Sequence, residues 1–317
     1  MAKLYLGTQE ITPFIYDTFI GIKREVSANG VYQAPTSSFA FSLPSNATSV
    51  AERALYYAFN GCTGLTSADL SSLTTVSSSY ALSYAFNGCT SLTSLNLSSL
   101  TTASGNRAFE YAFQDCDGLT SVGLSSLTTI SGSNALAQAF RECHNLASVD
   151  LSSLETVSGS QGLYYAFAFC SNLASIDLSS LTTVSGQSAL SFTFHSCASL
   201  TSIDLSSLTT ISGSQGLKST FHNCTGLTSV DLSSLADISG ANALNNTFEG
   251  CTSLTSISFP ALTTSSFGTV TNQFNNMLRS CSGVTVHLPT AIQSTIGSWS
   301  SVTGGFGGTN TTVLFDL

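Results

Sequence analysis

The sequence predicts an α/β repeat solenoid with a parallel β-sheet on one side, short helices on the other and a 27-residue period. Three observations carry this. Cysteines stand at 62, 89, 116, 143, 170, 197, 224 and 251, each 27 residues from the last, with a ninth at 281 after a slip of three. A fixed period of this size marks stacked supersecondary units, each covering its neighbour's apolar face. In "LTSLNL" the apolar Leu95 and Leu97 alternate with Ser94 and Asn96, the period of a strand. Before the cysteine, Ala81, Leu82, Ala85, Phe86 and Cys89 recur at three and four, the period of one helix face.

Taken in chain order, residues 1–47 lie outside the repeat. Their short alternating runs "KLYLGTQEIT" and "FAFSLPSNATSV" predict an N-terminal β cap or attachment module. Residues 48–283 form the array. Each repeat reads strand, turn, second extended piece, "SG" turn and short helix. A three-faced β-helix would also accommodate 27 residues, but alanine in the A-L-x-x-A-F-x-x-C face favours helix over strand. Residues 284–317 form a C-terminal cap, with a short helix near Ala291 to Ile296 and a closing strand at Thr312 to Phe315.

The motif "L-T-S-x-D-L-S-S-L-T-T-x-S-G" followed by "A-F-x-x-C-x-x-L" resembles the BspA-like, or Treponema-type, leucine-rich repeats over about residues 50 to 290. The repeats here are longer than usual, and only Phe259 and Pro260 keep the "FP" form that often follows the strand. The resemblance implies a leucine-rich-repeat solenoid of surface or secreted binding proteins and adhesins, without catalytic residues and without a particular ligand. The tail resembles endings of repeat proteins from gut bacteria and their phages.

Composition narrows the function. Only 8% of the 317 residues are charged and the net charge is −9, so solubility rests on Ser, Thr and Asn. Eight Lys and Arg in total are too few for a phosphate-binding surface, which excludes nucleic acid as the expected partner. No run of eighteen apolar residues predicts membrane insertion. The N-terminus does not read as a secretory signal, because Thr8, Gln9 and Glu10 interrupt its apolar run. The Ser/Thr-rich composition nonetheless suits an extracellular or virion protein.

The cysteines occupy one inward column beside Phe and Leu, so their Cβ atoms run parallel rather than facing one another. They are expected as buried free thiols acting as small hydrophobes, and no CxxC pair points to zinc.

Two sets of residues are candidate sites. The first is the columns just before and after each cysteine, where the copies disagree. These hold Tyr56, Tyr57, Tyr84, Tyr111, Arg141, His144, Tyr164, Tyr165, Phe169, Phe192, His195, Lys218 and His222, with Glu110 and Glu142. Aromatic, Arg and His side chains on a rigid frame have the composition of a recognition surface. The competing reading is drift on an unconstrained exterior, with several Tyr packed between coils. The second set is the outward strand column that places Asp150, Asp177, Asp204 and Asp231 in successive coils. It reads either as a cation ladder, with oxygen ligands suited to Ca²⁺, or as solvated Asp bonded to flanking Ser such as Ser175 and Ser202.

His195, His222 and Glu249 share a column but are expected too far apart to converge on a metal. Glu110, Asp115, Asp117 and Glu142 near Arg107 and Arg141 read as a surface charge network rather than a hydrolase pair. No nucleophile elbow, P-loop or HExxH is present, and no cofactor is called for.

The function expected is non-enzymatic recognition or adhesion at a cell-surface protein or glycan. A phage tail or receptor-binding component is favoured over a bacterial adhesin, with attachment to a larger assembly through the N-terminal module. A structural or ice-binding solenoid is the alternative, from the threonine pairs Thr74–Thr75, Thr101–Thr102 and Thr128–Thr129, although the rows break at Glu155, Ala236 and Asp237.

Overall fold

The computed structural model describes residues 37–267, 273–294 and 306–317, together with the strands Leu4–Leu6, Gln9–Ile11, Glu25–Val26 and Tyr32–Gln33. The array is a parallel-strand solenoid of about ten turns. Eight strands form the main sheet in strict chain order, from Phe39–Ser42 and Leu65–Asp69 through Ser94–Asn96 to Ser229–Asp231. Equivalent residues pair directly, Val122 with Val149 and Asp150 with Asp177, so the sequence period becomes the structural register. A second sheet of six two-residue strands runs from Thr75–Val76 to Thr210–Ile211. A third contains Ser256–Ser258, Thr285–Leu288 and Thr312–Phe315, all parallel.

At the N-terminal side the run "KLYLGTQEIT" forms an antiparallel pair, Leu4–Leu6 with Gln9–Ile11, and the FAFS segment joins the main sheet beside Leu65–Asp69. The expected helix near Ala291 is a 3-10 turn, Thr290–Ile292, and its last residues, Thr295 and Ile296, lie outside the described residues.

Among the described residues of the repeats the short helices expected on the other side are absent, and a turn ladder stands in their place. Tyr80, Tyr84 and Gly88 all have φ between 55 and 70°, as do the matching residues Arg107, Tyr111 and Asp115 of the next coil. A left-handed residue at every fourth position breaks the α-helix and lays the chain down as consecutive turns. The amides then alternate. Those of Ser83, Ala85 and Asn87 donate to carbonyls three residues back, while those of Leu82, Tyr84 and Phe86 donate to Ala108, Glu110 and Ala112 in the following coil. Backbone groups that a helix would satisfy within itself are shared between coils, as burial requires.

The core lies between the ladder and the sheets. Phe59, Phe86, Phe113, Phe140, Phe167, Phe194, Phe221 and Phe248 stack nearly parallel along the array, with centroids 5.1–5.7 Å apart. All nine cysteines are buried and none forms a disulfide. Eight of them, Cys89 to Cys281, do more than fill space, because the sulfur donates to the Phe carbonyl of the preceding coil: Cys89 to Phe59 and Cys143 to Phe113, both at 3.1 Å. Burial pushes these thiols up, to about 12 at Cys170 and Cys224, so they stay protonated and keep that donor.

Candidate functional site

The ladder face gathers most of the variable-column residues into one strip. Where the left-handed residue five before the cysteine is aromatic, it stacks on the aromatic of the adjacent coil. Tyr57 lies on Tyr84 and Tyr84 on Tyr111, with centroids 4.5 Å apart in both pairs. Gln138 interrupts the stack and donates its amide to the Tyr111 hydroxyl. The stack resumes as Tyr165 on Phe192 at 4.6 Å. Tyr56 meets Tyr57 edge-on at 4.6 Å, and Tyr164 meets Tyr165 edge-on at 4.7 Å. Stacking covers ring faces, and the hydroxyls of Tyr57, Tyr84 and Tyr111 bond from one ring to the next along the stack. Burial raises the Tyr57, Tyr84, Tyr164 and Tyr165 phenols, so these hydroxyls are neutral donors.

The arginines of this face are engaged. Arg53 and Arg107 flank the Tyr80 ring, at 5.2 and 5.5 Å from its centroid. Arg141 lies over Phe169 at 5.4 Å and pairs with Glu142 at 2.6 Å. Asp115 is raised to about 6, first by burial and then by its hydrogen bond to Glu142. His144 is exposed and bonded through Nδ1 to Asp117 at 3.0 Å, so it belongs to a local pair rather than to the aromatic strip. Lys218 is half-buried one column over from the stack.

His195 and His222 come closer than the sequence reading allowed, their ring centroids 4.7 Å apart. His222 Nε2 is 4.0 Å from Glu249 Oε1, which is 3.5 Å from Arg279 Nε. Side chains in one column of adjacent coils are separated by little more than the strand spacing of ~4.8 Å, which is why they meet. Among the described residues, no group of three His, Cys, Asp or Glu is placed to hold a metal.

The Asp column is in register from Asp150 through Asp177 and Asp204 to Asp231. Its partners are not the strand serines Ser175 and Ser202. Each carboxylate accepts the backbone amide two residues on, Asp177 from Ser179 at 3.0 Å and Asp204 from Ser206 at 2.9 Å, closing a turn where the strand ends. The Ser206 hydroxyl and amide hold Asp204 below the usual carboxylate range. Two shallow grooves run over this face. One of about 630 Å³ is lined by Ser148, Asp150, Ser175, Asp177 and Asp204, and one of about 440 Å³ by Asp204, Ser229, Asp231 and Ser258.

The threonine rows divide in two. In the outer row, Thr101 Oγ1 donates to the Thr74 carbonyl at 2.9 Å and Thr182 Oγ1 to Glu155 at 3.1 Å, so these hydroxyls tie coils together. Glu155 interrupts the outer row only. The inner row continues in register from Thr75 to Thr210.

Sequence reasoning missed Thr193, Thr220 and Thr247, which replace alanine four before the cysteine. They are buried and donate to carbonyls of the preceding coil, Thr193 to Leu163 and Thr220 to Leu190. Their signal was present as a hydroxyl in an otherwise alanine column.

The class defined by these features is a leucine-rich-repeat solenoid built on a cysteine and phenylalanine spine. The chain belongs to the BspA type leucine rich repeat family, whose model matches in six copies over residues 31–138, 56–184, 110–214 and 137–278. Family membership points to a protein-binding or adhesion role, and no catalytic family is indicated. A search of curated proteins finds no match.

Among solved structures, the chain is similar to a leucine-rich-repeat protein of T. pallidum, at 24% identity over 68% of this chain and 78% of that one, with a TM-score of 0.37. A leucine-rich repeat protein from Bacteroides ovatus matches at 18% identity over 99% of both chains, with a TM-score of 0.25. A leucine rich cell surface protein from Faecalibacterium prausnitzii matches at 15% identity over 87% of this chain and 90% of that one, with a TM-score of 0.24. No helix among the described residues is long and apolar enough to cross a membrane.

Proposed function

We propose that this protein is a non-enzymatic recognition or adhesion module that binds a cell-surface protein or glycan through the aromatic strip of its ladder face. The observation that carries this is the gathering of Tyr164, Tyr165, Phe169, Phe192, His195 and Arg141 around one contact network, on a backbone repeated with little change on either side. Rigid aromatic side chains lose little conformational entropy on binding, and stacking lowers that cost further. Phenol hydroxyls and ring edges supply hydrogen bonds and apolar contact to a polar surface.

The test is the triple substitution Y164A/Y165A/R141A in the full chain. We expect attachment to target cells to be lost while the circular dichroism spectrum is kept. Retained attachment would sink this reading and move the site to the grooves of the Asp/Ser face. That second reading is favoured by those grooves, and D177N/D204N would then weaken attachment. A phage tail component and a bacterial surface adhesin would present the same strip. Neighbouring tail genes or neighbouring export genes tell the two carriers apart. Thermal hysteresis is not expected, since the outer-row hydroxyls are spent on backbone carbonyls, and its detection would favour ice binding.

A further inference from the structure

We propose that the paired imidazoles of His195 and His222 form an acid-sensitive latch in the aromatic strip, closed while both rings are neutral and opened when the pair takes up a proton. The argument starts from where the rings sit. His195 is wedged edge-on among Phe169 at 4.9 Å, Phe192 at 5.9 Å and Tyr165 at 6.0 Å, and its remaining neighbour is the His222 ring, tilted by 50°. Nδ1 of each ring is buried without a well-aligned hydrogen bond. At His195 the His222 backbone favours the charged ring, but by less than burial and the neighbouring imidazole disfavour it, so a proton added there is poorly compensated.

The charges facing the pair from the packed coils divide: Arg141 opposes protonation of His195, while at His222 Glu249 favours it more than Arg279 opposes it, and burial outweighs both. Arg141, paired with Glu142, lies over Phe169 on one side, and Arg279 lies beyond His222 on the other. Among the described residues Glu249 is the one carboxylate paired with the His222 ring, at 4.0 Å, and it is also paired with Arg279 and accepts from the Asn246 amide. Once one ring is charged, the second would gain a like charge at ring-contact distance. Burial holds both rings below the ordinary imidazole range, and it brings His195 to about 4.

A ring whose folded value is depressed costs stability as pH falls from its unfolded value, near 6.5, through the folded value. The loss is local because each coil touches only its neighbours. It falls on the two coils that carry Phe192 and Lys218, so the latch governs the strip whatever the strip binds.

The experiment is hydrogen exchange with mass spectrometry on the full chain from pH 7 to pH 4, corrected for intrinsic exchange. It is run beside an NMR titration of the histidine rings. We expect residues 188–224 to lose about tenfold or more in protection over this range while coils 80–143 keep theirs. The H195F/H222F variant, which keeps ring volume and removes the titrating nitrogens, should lose no protection there. Unchanged protection, a loss spread evenly along the array, or the same loss in the variant would overturn the latch. If the variant fails to fold, the wild-type titration decides: both rings titrating at the ordinary value would overturn it.

Discussion

At the scale of the residue, the array is controlled by how closely one coil can lie on the next. A Cβ placed on Gly132 would sit 2.3 Å from the Gly105 carbonyl oxygen, and one on Gly159 would sit 2.1 Å from that of Gly132. The obstruction is backbone, so it cannot swing aside. Gly132→Ala is expected to cost roughly 3 kcal/mol, read as a shifted denaturant midpoint with unchanged slope. The thiols give a second check. Their raised values and burial predict that Cys89 through Cys251 do not react with an aromatic disulfide reagent until the chain unfolds. Cys143→Ala should cost about 1–2 kcal/mol, for the lost sulfur volume and the Phe113 carbonyl left with one donor fewer. Asp115 supplies a pH test of opposite sign to the histidines. Its folded value lies above its unfolded one, so it penalises folding increasingly as pH rises from about 4 through 6. Asp115→Asn should therefore be more stable than wild type at pH 7, with the difference shrinking as pH falls to 4.

At the scale of the element, the ladder shows what a periodicity argument can and cannot resolve. The spacing of Ala81, Ala85 and Cys89, and of Leu82 and Phe86, correctly identified the inward face, and those residues are all buried. The inferred helix was wrong because two backbones share that spacing over so short a run. Positions four apart on an α-helix drift by about 40° around the axis, whereas a four-residue turn ladder keeps them aligned. A second signal distinguishes the two. The residue just before the cysteine is Gly61, Gly88, Asp115, Asn223 or Gly250 in five copies, the residue types that tolerate a left-handed backbone. Tyr80, Tyr84 and Phe192 in the same conformation mask it elsewhere. The difference makes a prediction of sign. Gln161 has φ of 56°, so Gln161→Gly should stabilise the protein by about 0.5–1 kcal/mol, where the same change inside a helix would cost about as much. Thermal denaturation of the single variant is enough to tell.

At the scale of the whole molecule, the 27-residue register makes each coil an interchangeable layer. Removal of residues 144–170 joins equivalent positions and should leave a folded, cooperative array with a lower melting temperature. Removal of one residue fewer should break both sheets, as circular dichroism would show. The period, the core and the variable columns were legible in one sequence because stacking repeats every constraint. The convergence of Arg141, Phe169 and His195 was not, since it depends on which side chains lean toward one another across coils rather than on their own column. The alternating amides have a last consequence. Along the ladder, the N–H groups of Tyr80, Leu82, Tyr84, Phe86 and Gly88 all donate toward the C-terminal neighbour, and the next coil repeats that sense. Their peptide dipoles therefore add along that wall instead of cancelling, as they do in a helix but perpendicular to the local chain. The rod is electrically polar: a coil joining at the C-terminal end must offer acceptors to the wall, and one joining at the N-terminal end must offer donors. Two such arrays could be spliced into a longer wall head to tail and in no other way.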